Sequence, residues 1–399
     1  MITSIALGDA FEHIRNGMSV KQDKDADGIP ITRIETISDG TIDLGRVGYA
    51  GLQHTDVEKW LLQPGDILLS HINSVEHIGK CALFEDPTTK LVHGMNLLSM
   101  RPKSDILFPR YAMWAMKDPS FKARILKFVN KAVNQASIST TNLKTVEIPL
   151  PPLEEQKRIA GILDQADALR RLRTRALDKL NTLGQAIFYE MFAPQIESQD
   201  LSGFITIEYA CREKLQNGAY FPRESYSEVG VEMVHMGDAF AGTVSRGCLK
   251  RVKCSETDLN KYSLVSSDLL IARRSLNFSG AAKPCMIPPS FEPMIFESSF
   301  IRIRPNPAVT DALFLFYYLQ DPIARGRFVL PNITQSTISG ISQSNLKKVL
   351  LPKIAAADRS VFRDRHDELL GQIQKQERLV ERQNSLFSSL QHRAFRGEL

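Results

Sequence analysis

A chain of 399 residues with 43% hydrophobic and 24% charged side chains has the composition of an ordinary globular protein, long enough for two or three cores. Its longest apolar run, Ala312 to Leu319, falls far short of the roughly 20 residues of a membrane helix, and its N-terminus lacks a basic and apolar leader pattern, so a cytoplasmic protein with no membrane partner is expected. A net charge of +5 permits a polyanionic partner without requiring one, and five scattered cysteines without CxxC spacing argue against a disulfide framework or a zinc knuckle.

From the N-terminus, short alternating segments with Gly and Asp turns predict a first globular α/β domain over residues 1–152. The stretch PLPPLEEQKRI, Pro149 to Ile159, closes it. Three prolines in four residues hold the backbone extended, and Glu154 and Glu155 place acid at the positive end of a new helix, so this segment reads as a stiff joint. A central helix is predicted over 153–195, where Ile162, Ala166, Leu169, Leu180, Leu183 and Ile187 follow a 4-3 spacing. A second globular domain follows over 196–355. A C-terminal helix over 356–399 carries Leu369, Ile373, Val380, Phe387 and Leu390 on a similar stripe. Two such stripes in one chain would bury each other as an antiparallel coiled coil. Phe188, Met191, Phe192 and Phe395 lie off the stripe and suit either a core or a partner surface.

The two halves repeat each other at a shift of about 200 residues. Asn16-Gly17 answers Asn217-Gly218, Ile29 to Ile42 answers Val231 to Val244, and Pro64 to Ser70 answers Ser266 to Ala272. Phe108 to Arg124 answers Asp311 to Arg327, sharing Asp118-Pro119 and Asp321-Pro322, and Gln135 to Pro152 answers Gln335 to Ala355. Matches in one order establish a duplication, and a duplication fixes architecture. The fold class is therefore α+β, with two tandem α/β domains separated by two long helices in a pseudo-twofold internal repeat.

Catalytic motifs are missing. The one Gly-Lys pair, Gly79-Lys80, precedes Cys81 rather than Ser or Thr, so there is no phosphate loop of the Walker type, and HExxH, GxSxG and the Asn/Asp-Pro-Pro-aromatic tetrad of amino-methyltransferases are also absent. No catalytic or metal-ligating residues are assigned. A duplicated, mildly basic, non-catalytic chain suits the reading of two separated targets on one duplex.

PLPPLEEQKRIAGILDQADALRR, the segment Gln185 to Phe192 and the last residues Leu386 to Leu399 resemble the spacer regions of the specificity subunit of type I restriction-modification systems. Pro64 to Leu83 and His93 to Pro102 resemble parts of that family's target recognition domains. The resemblance implies a non-catalytic reader of double-stranded DNA that recognises a bipartite target, one half-site per domain. It also implies two methylation subunits docked on the helical regions, with restriction subunits in the full complex. S-adenosylmethionine, ATP and Mg2+ would belong to those partners, and no cofactor to this chain. The second joint departs from the pattern: Leu351 to Arg359 keeps one proline and a run of small residues, so a less stiff connection is expected there. A different reading stays open, a duplicated helical scaffold whose globular domains bind protein partners.

Two loop pairs are the candidates for DNA contact. In the first, His71, Asn73, Ser74 and Lys80 follow an apolar strand and match Arg273, Arg274 and Asn277. In the second, Lys127, Asn130, Lys131, Asn134 and Gln135 match Asn332, Thr334, Gln335 and Ser336, together with Thr337. Arginine grips guanine O6 and N7, asparagine and glutamine pair with adenine N6 and N7, and lysine holds phosphate. Ordinary turn chemistry accounts for the same residue types. Arg251 and its lysine neighbours could hold phosphates or simply serve solubility, Tyr220 and Phe221 read as a hydrophobic anchor in preference to a contact loop, and the basic run from Arg170 to Arg175, with Asp164, Asp167 and Asp178 nearby, reads as a solvated helix face or a partner surface.

Overall fold

Gly17 and Gly218 show why the two halves share a pattern. A side-chain carbon on Gly17 would lie 2.1 Å from the Gly94 carbonyl oxygen, and one on Gly218 would lie 2.2 Å from that of Glu297. Only glycine admits such close backbone approach. The next residues, Met18 and Ala219, then form parallel bridges to Gly94 and Glu297. These relationships come from a computed structural model that describes residues 3–23, 26–53, 57–132, 135–239, 242–335 and 338–399.

The chain divides into two units, residues 1–175 with 377–399, and residues 176–376. Each unit holds a globular domain, the N-terminal part of one long helix and the C-terminal part of the other. The helices run Leu153–Glu197 and Ala356–Ala394.

In the first unit a four-stranded antiparallel sheet has the order Phe11–Asn16, Leu97–Pro102, Ile67–Ser70, Cys81–Leu83. In the second, Gln216–Asn217, Phe300–Ile303, Leu269–Ala272 and Pro284–Met286 repeat that order. Ile67–Ser70 and Leu269–Ala272 are buried throughout, which explains their unbroken apolar sequences. A two-stranded ribbon ends each domain, Ser4–Ala6 with Glu147–Pro149 and Phe204–Thr206 with Leu350–Pro352.

The shared Asp-Pro pairs are helix starts. Asp118 caps the helix Pro119–Leu126 by accepting from the Ser120 amide at 2.8 Å, and Asp321 accepts from the amides of Ile323 and Ala324. In both, proline takes the first helical position, where its missing N–H costs nothing.

The helix stripe needs correction. Leu369 is buried, and Ile162, Ala166, Leu180, Ile187, Ile373, Val380, Phe387 and Leu390 are half-buried, but Leu169 is 56% exposed and Leu183 41% exposed. A coiled-coil seam assumes that a helix has one partner along its length. Here each helix part also packs on a globular domain, so Ile159, Ala160 and Leu163 enter the first core, and Phe188, Phe192 and Ile196 enter the second. Within the first unit, Ile159, Ala160 and Leu163 share the core with Ala394, and Arg170 lies 5.2 Å from the ring of Phe387 further back along the second helix, an antiparallel arrangement. Within the second, Phe188 and Phe192 stack edge-on against Phe362 with centroids 5.4 and 5.6 Å away.

Candidate functional site

The two candidate segments of the first domain, distant in sequence, join in one small sheet. Ile72–Asn73 pairs with Gln135–Ser137, matching Asn73 to Ala136 and Ile72 to Ser137, and that strand pairs on its other side with Asn130–Ala132. The second domain does the same with different residues. Arg274–Ser275 pairs with Ser339–Gly340, and Thr334 closes a bridge onto Gly340. Both small sheets continue from the buried central strand, so polar side chains stand on a rigid base.

Ser74, Lys127 and Asn130 are exposed in the first unit, as are Arg274, Asn277, Thr334 and Gln335 in the second. Asn73 is half-buried, and its Oδ1 accepts from the Ser74 amide at 2.8 Å. Lys80 is also half-buried and donates from Nζ to the Ser38 carbonyl at 3.0 Å. Lys131 and Gln135 lie on the paired strands, while Asn134, Ser336 and Thr337 fall outside the described residues.

His71 departs from the expectation of a surface loop. It is 5% exposed, because the chain leaves the buried strand without turning outward and the Ile138 amide fastens the His71 carbonyl at 3.0 Å. Burial pushes its imidazole down to about 4, so it is neutral and internal. Asn332 is half-buried and donates from Nδ2 to the Phe328 carbonyl at 2.8 Å, closing its own helical turn. Arg273 is half-buried with its backbone bonded to Ser299 and Ile341.

Each unit also carries a cleft. In the first unit a cleft of about 420 Å³ beside Lys80 is walled by Lys117, Lys122, Arg170 and Arg171. Lys117 donates to the Gly40 carbonyl at 2.7 Å and sits 5.1 Å from the Trp114 ring, and burial lowers its pKa. Arg170 and Arg171 both pair with the one carboxylate of Asp167 at 2.6 Å, which offsets one of their two charges. In the second unit a cleft of about 660 Å³ is lined by Arg274, Asn277, Lys283 and Tyr317, with Leu276, 84% exposed, at its rim. Arg251 is spent on Glu232, Glu292 and the Gly230 carbonyl. Of the Tyr-Phe pair, Phe221 packs on the core while Tyr220 is 83% exposed, so only Phe221 anchors.

Sequence reasoning located the joints between domain and helix but missed the buried side chains that hold them. Gln156, fully buried, donates from Nε2 to the carbonyls of Ile106 at 2.9 Å and Pro151 at 2.8 Å, and its Oε1 accepts from the Phe108 amide at 2.8 Å. Arg359, 5% exposed, donates from Nη1 to Val309 at 2.9 Å and Ile354 at 2.6 Å, from Nη2 to Pro307 at 2.9 Å, and meets Asp311 at 3.3 Å. The second joint is thus held by at least as many bonds as the first, despite its lost prolines. A polar residue at the fourth helical position, repeated in both copies, was the available signal.

Comparison with known proteins agrees with this architecture. Residues 2–182 match the family described as type I restriction modification DNA specificity domain. Over 189 residues the chain is 47% identical to the putative type I restriction enzyme MjaX specificity subunit of Methanocaldococcus jannaschii, covering 47% of this chain and 44% of that protein. Over 192 residues it is 28% identical to the EcoKI specificity subunit of Escherichia coli K12, covering 47% and 41%. The aligned stretch thus spans less than half of either relative. Among solved structures, a chain from work on complex assembly and conformational transition of the type I R-M system superposes with a TM-score of 0.61 at 15% identity, covering 100% of this chain and 98% of that one. The type I S subunit from M. genitalium gives 0.52 at 14% identity, covering 99% and 96%. These two likenesses speak to the fold alone. The family match and the shared sequence thus make this chain similar, over about half its length, to type I restriction enzyme specificity subunits.

Proposed function

We propose that this chain is a non-catalytic reader of double-stranded DNA that recognises an asymmetric bipartite target, one half-site per unit. The observation that carries the reading is a matched scaffold with unmatched tips. Each unit builds a small sheet from the same two segments, yet one offers Asn73, Ser74 and Asn130 while the other offers Arg274, Asn277 and Gln335. Equal frames with different amide and guanidinium groups suit two different base sequences.

On this reading the helical regions scaffold two methylation subunits for adenine-N6 methylation, and restriction subunits join the full complex. S-adenosylmethionine, ATP and Mg2+ serve those partners, with no cofactor assigned to this chain. A salt titration of duplex binding by the assembled complex tests the DNA reading. Phosphate-dominated binding falls linearly on a logarithmic salt scale, with a slope near −0.9 for each phosphate neutralised. An affinity that does not respond to salt would instead favour a scaffold for protein partners.

A further inference from the structure

The structure assigns Gln156 and Arg359 as positioning residues that hold each globular domain at a fixed angle on its long helix and so set tolerance for the gap between half-sites. This rests on the bipartite reading above. The two side chains occupy equivalent places, 203 residues apart, and so do their partners: Ile106 and Val309, Pro151 and Ile354, Phe108 and Asp311. A neutral amide in one copy and a cation in the other grip the same two carbonyl positions. What the duplication keeps is the linkage itself, whereas the side chain that makes it has changed.

Each linkage ties three segments: the loop before the domain's first long internal helix, the joint, and the first turn of the spacer helix. Rocking the domain on its helix would break several of these bonds together. Each broken bond would leave a carbonyl or amide unpaired where water does not readily replace the lost partner. A one-base-pair change of gap moves a half-site by only about 3.4 Å along the duplex, so a loose joint would accept neighbouring gaps. The test of that consequence separates positioning from simple stability, because a loosened joint leaves the base-reading sheets intact.

The experiment uses the full chain assembled with its methylation subunits, on duplexes carrying the methylation motif mapped for the unaltered complex. The gap is lengthened or shortened by one base pair, and single half-site duplexes serve as controls. Gln156→Ala and Arg359→Ala are expected to cut discrimination between gaps by about tenfold, the equivalent of one lost buried hydrogen bond, with half-site affinity held within about twofold. Arg359→Gln, which installs the first joint's side chain in the second, should retain most of the discrimination. If an alanine chain loses its cooperative melting transition, Gln156→Asn, too short to reach both carbonyls, carries the same test. Alanine variants that keep the original gap preference would overturn the assignment. An unaltered complex with no gap preference would instead overturn the bipartite reading.

Discussion

Arg101 and Asp66 meet as a two-pronged ion pair, Nε 2.7 Å from Oδ1 and Nη2 2.8 Å from Oδ2, across the central sheet of the first unit. Arg304 and Asp268 repeat the pair in the second at 2.6 and 2.7 Å. Both aspartates are fully buried, and each also accepts an amide from its own turn, Gln63 or Val265. Removing one partner of a buried pair strands the other charge and costs about 3–5 kcal/mol. Asp66→Ala should therefore lower urea unfolding stability more than Asp268→Ala, because Arg304 keeps a second carboxylate, Glu213, at 2.9 Å. A loss below about 1 kcal/mol from Asp66→Ala would mean that Arg101 finds water instead.

Leu163 and Leu169 both lie on the first long helix, one fully buried in the core and the other 56% exposed. Leu163→Ala should cost about 2–5 kcal/mol, and Leu169→Ala no more than about 0.5 kcal/mol. Denaturant midpoints for the two variants check this directly. A reversed order would contradict the burial of Leu163 and the exposure of Leu169.

Base reading by the second unit should concentrate on its exposed guanidinium and amide. Arg274→Ala and Asn277→Ala are each expected to lose about 1–3 kcal/mol of discrimination at one base position, confined to one half-site. Lys127→Ala in the first unit should weaken all sequences alike and reduce the salt slope by about one. Competition binding with single-base variants of the target separates the two behaviours.

His71 makes stability depend on pH. Its folded pKa of about 4 lies below the unfolded value near 6.5, so between these limits the unfolded chain binds the extra proton. Stability contributed by the neutral ring is complete above pH 6.5 and falls as the medium is acidified toward pH 4, by at most about 1.4 kcal/mol per pH unit. His71→Gln should reduce, without abolishing, the difference between urea midpoints measured at pH 5 and pH 7, because burial also holds the His13 imidazole down at about 4. An unchanged difference would place the titrating group elsewhere.

Backbone constraints were the most legible part of the sequence. Asn16-Gly17 and Asp118-Pro119 stood out because close approach and helix capping each admit few residue types, so duplication preserved them by name. The side chains that fasten the joints were hidden for the opposite reason. Glutamine and arginine do the same work there, and only coordinates show that they reach equivalent carbonyls. The candidate segments could be picked out as polar stretches after apolar ones, but their union in a single sheet depends on long-range pairing between Asn73 and Ala136, which periodicity does not carry. His71 was misplaced because a histidine after a buried strand looks the same in sequence whether the chain turns outward or continues inward.

The most direct test of the central claim is to map adenine methylation in cells that express this chain with its methylation subunits and in cells that lack only this chain. A motif that depends on the chain and consists of two unlike half-sites at one fixed gap is the predicted result. Methylation that is unchanged when the chain is removed, despite an assembled complex with active methylation subunits, would contradict it.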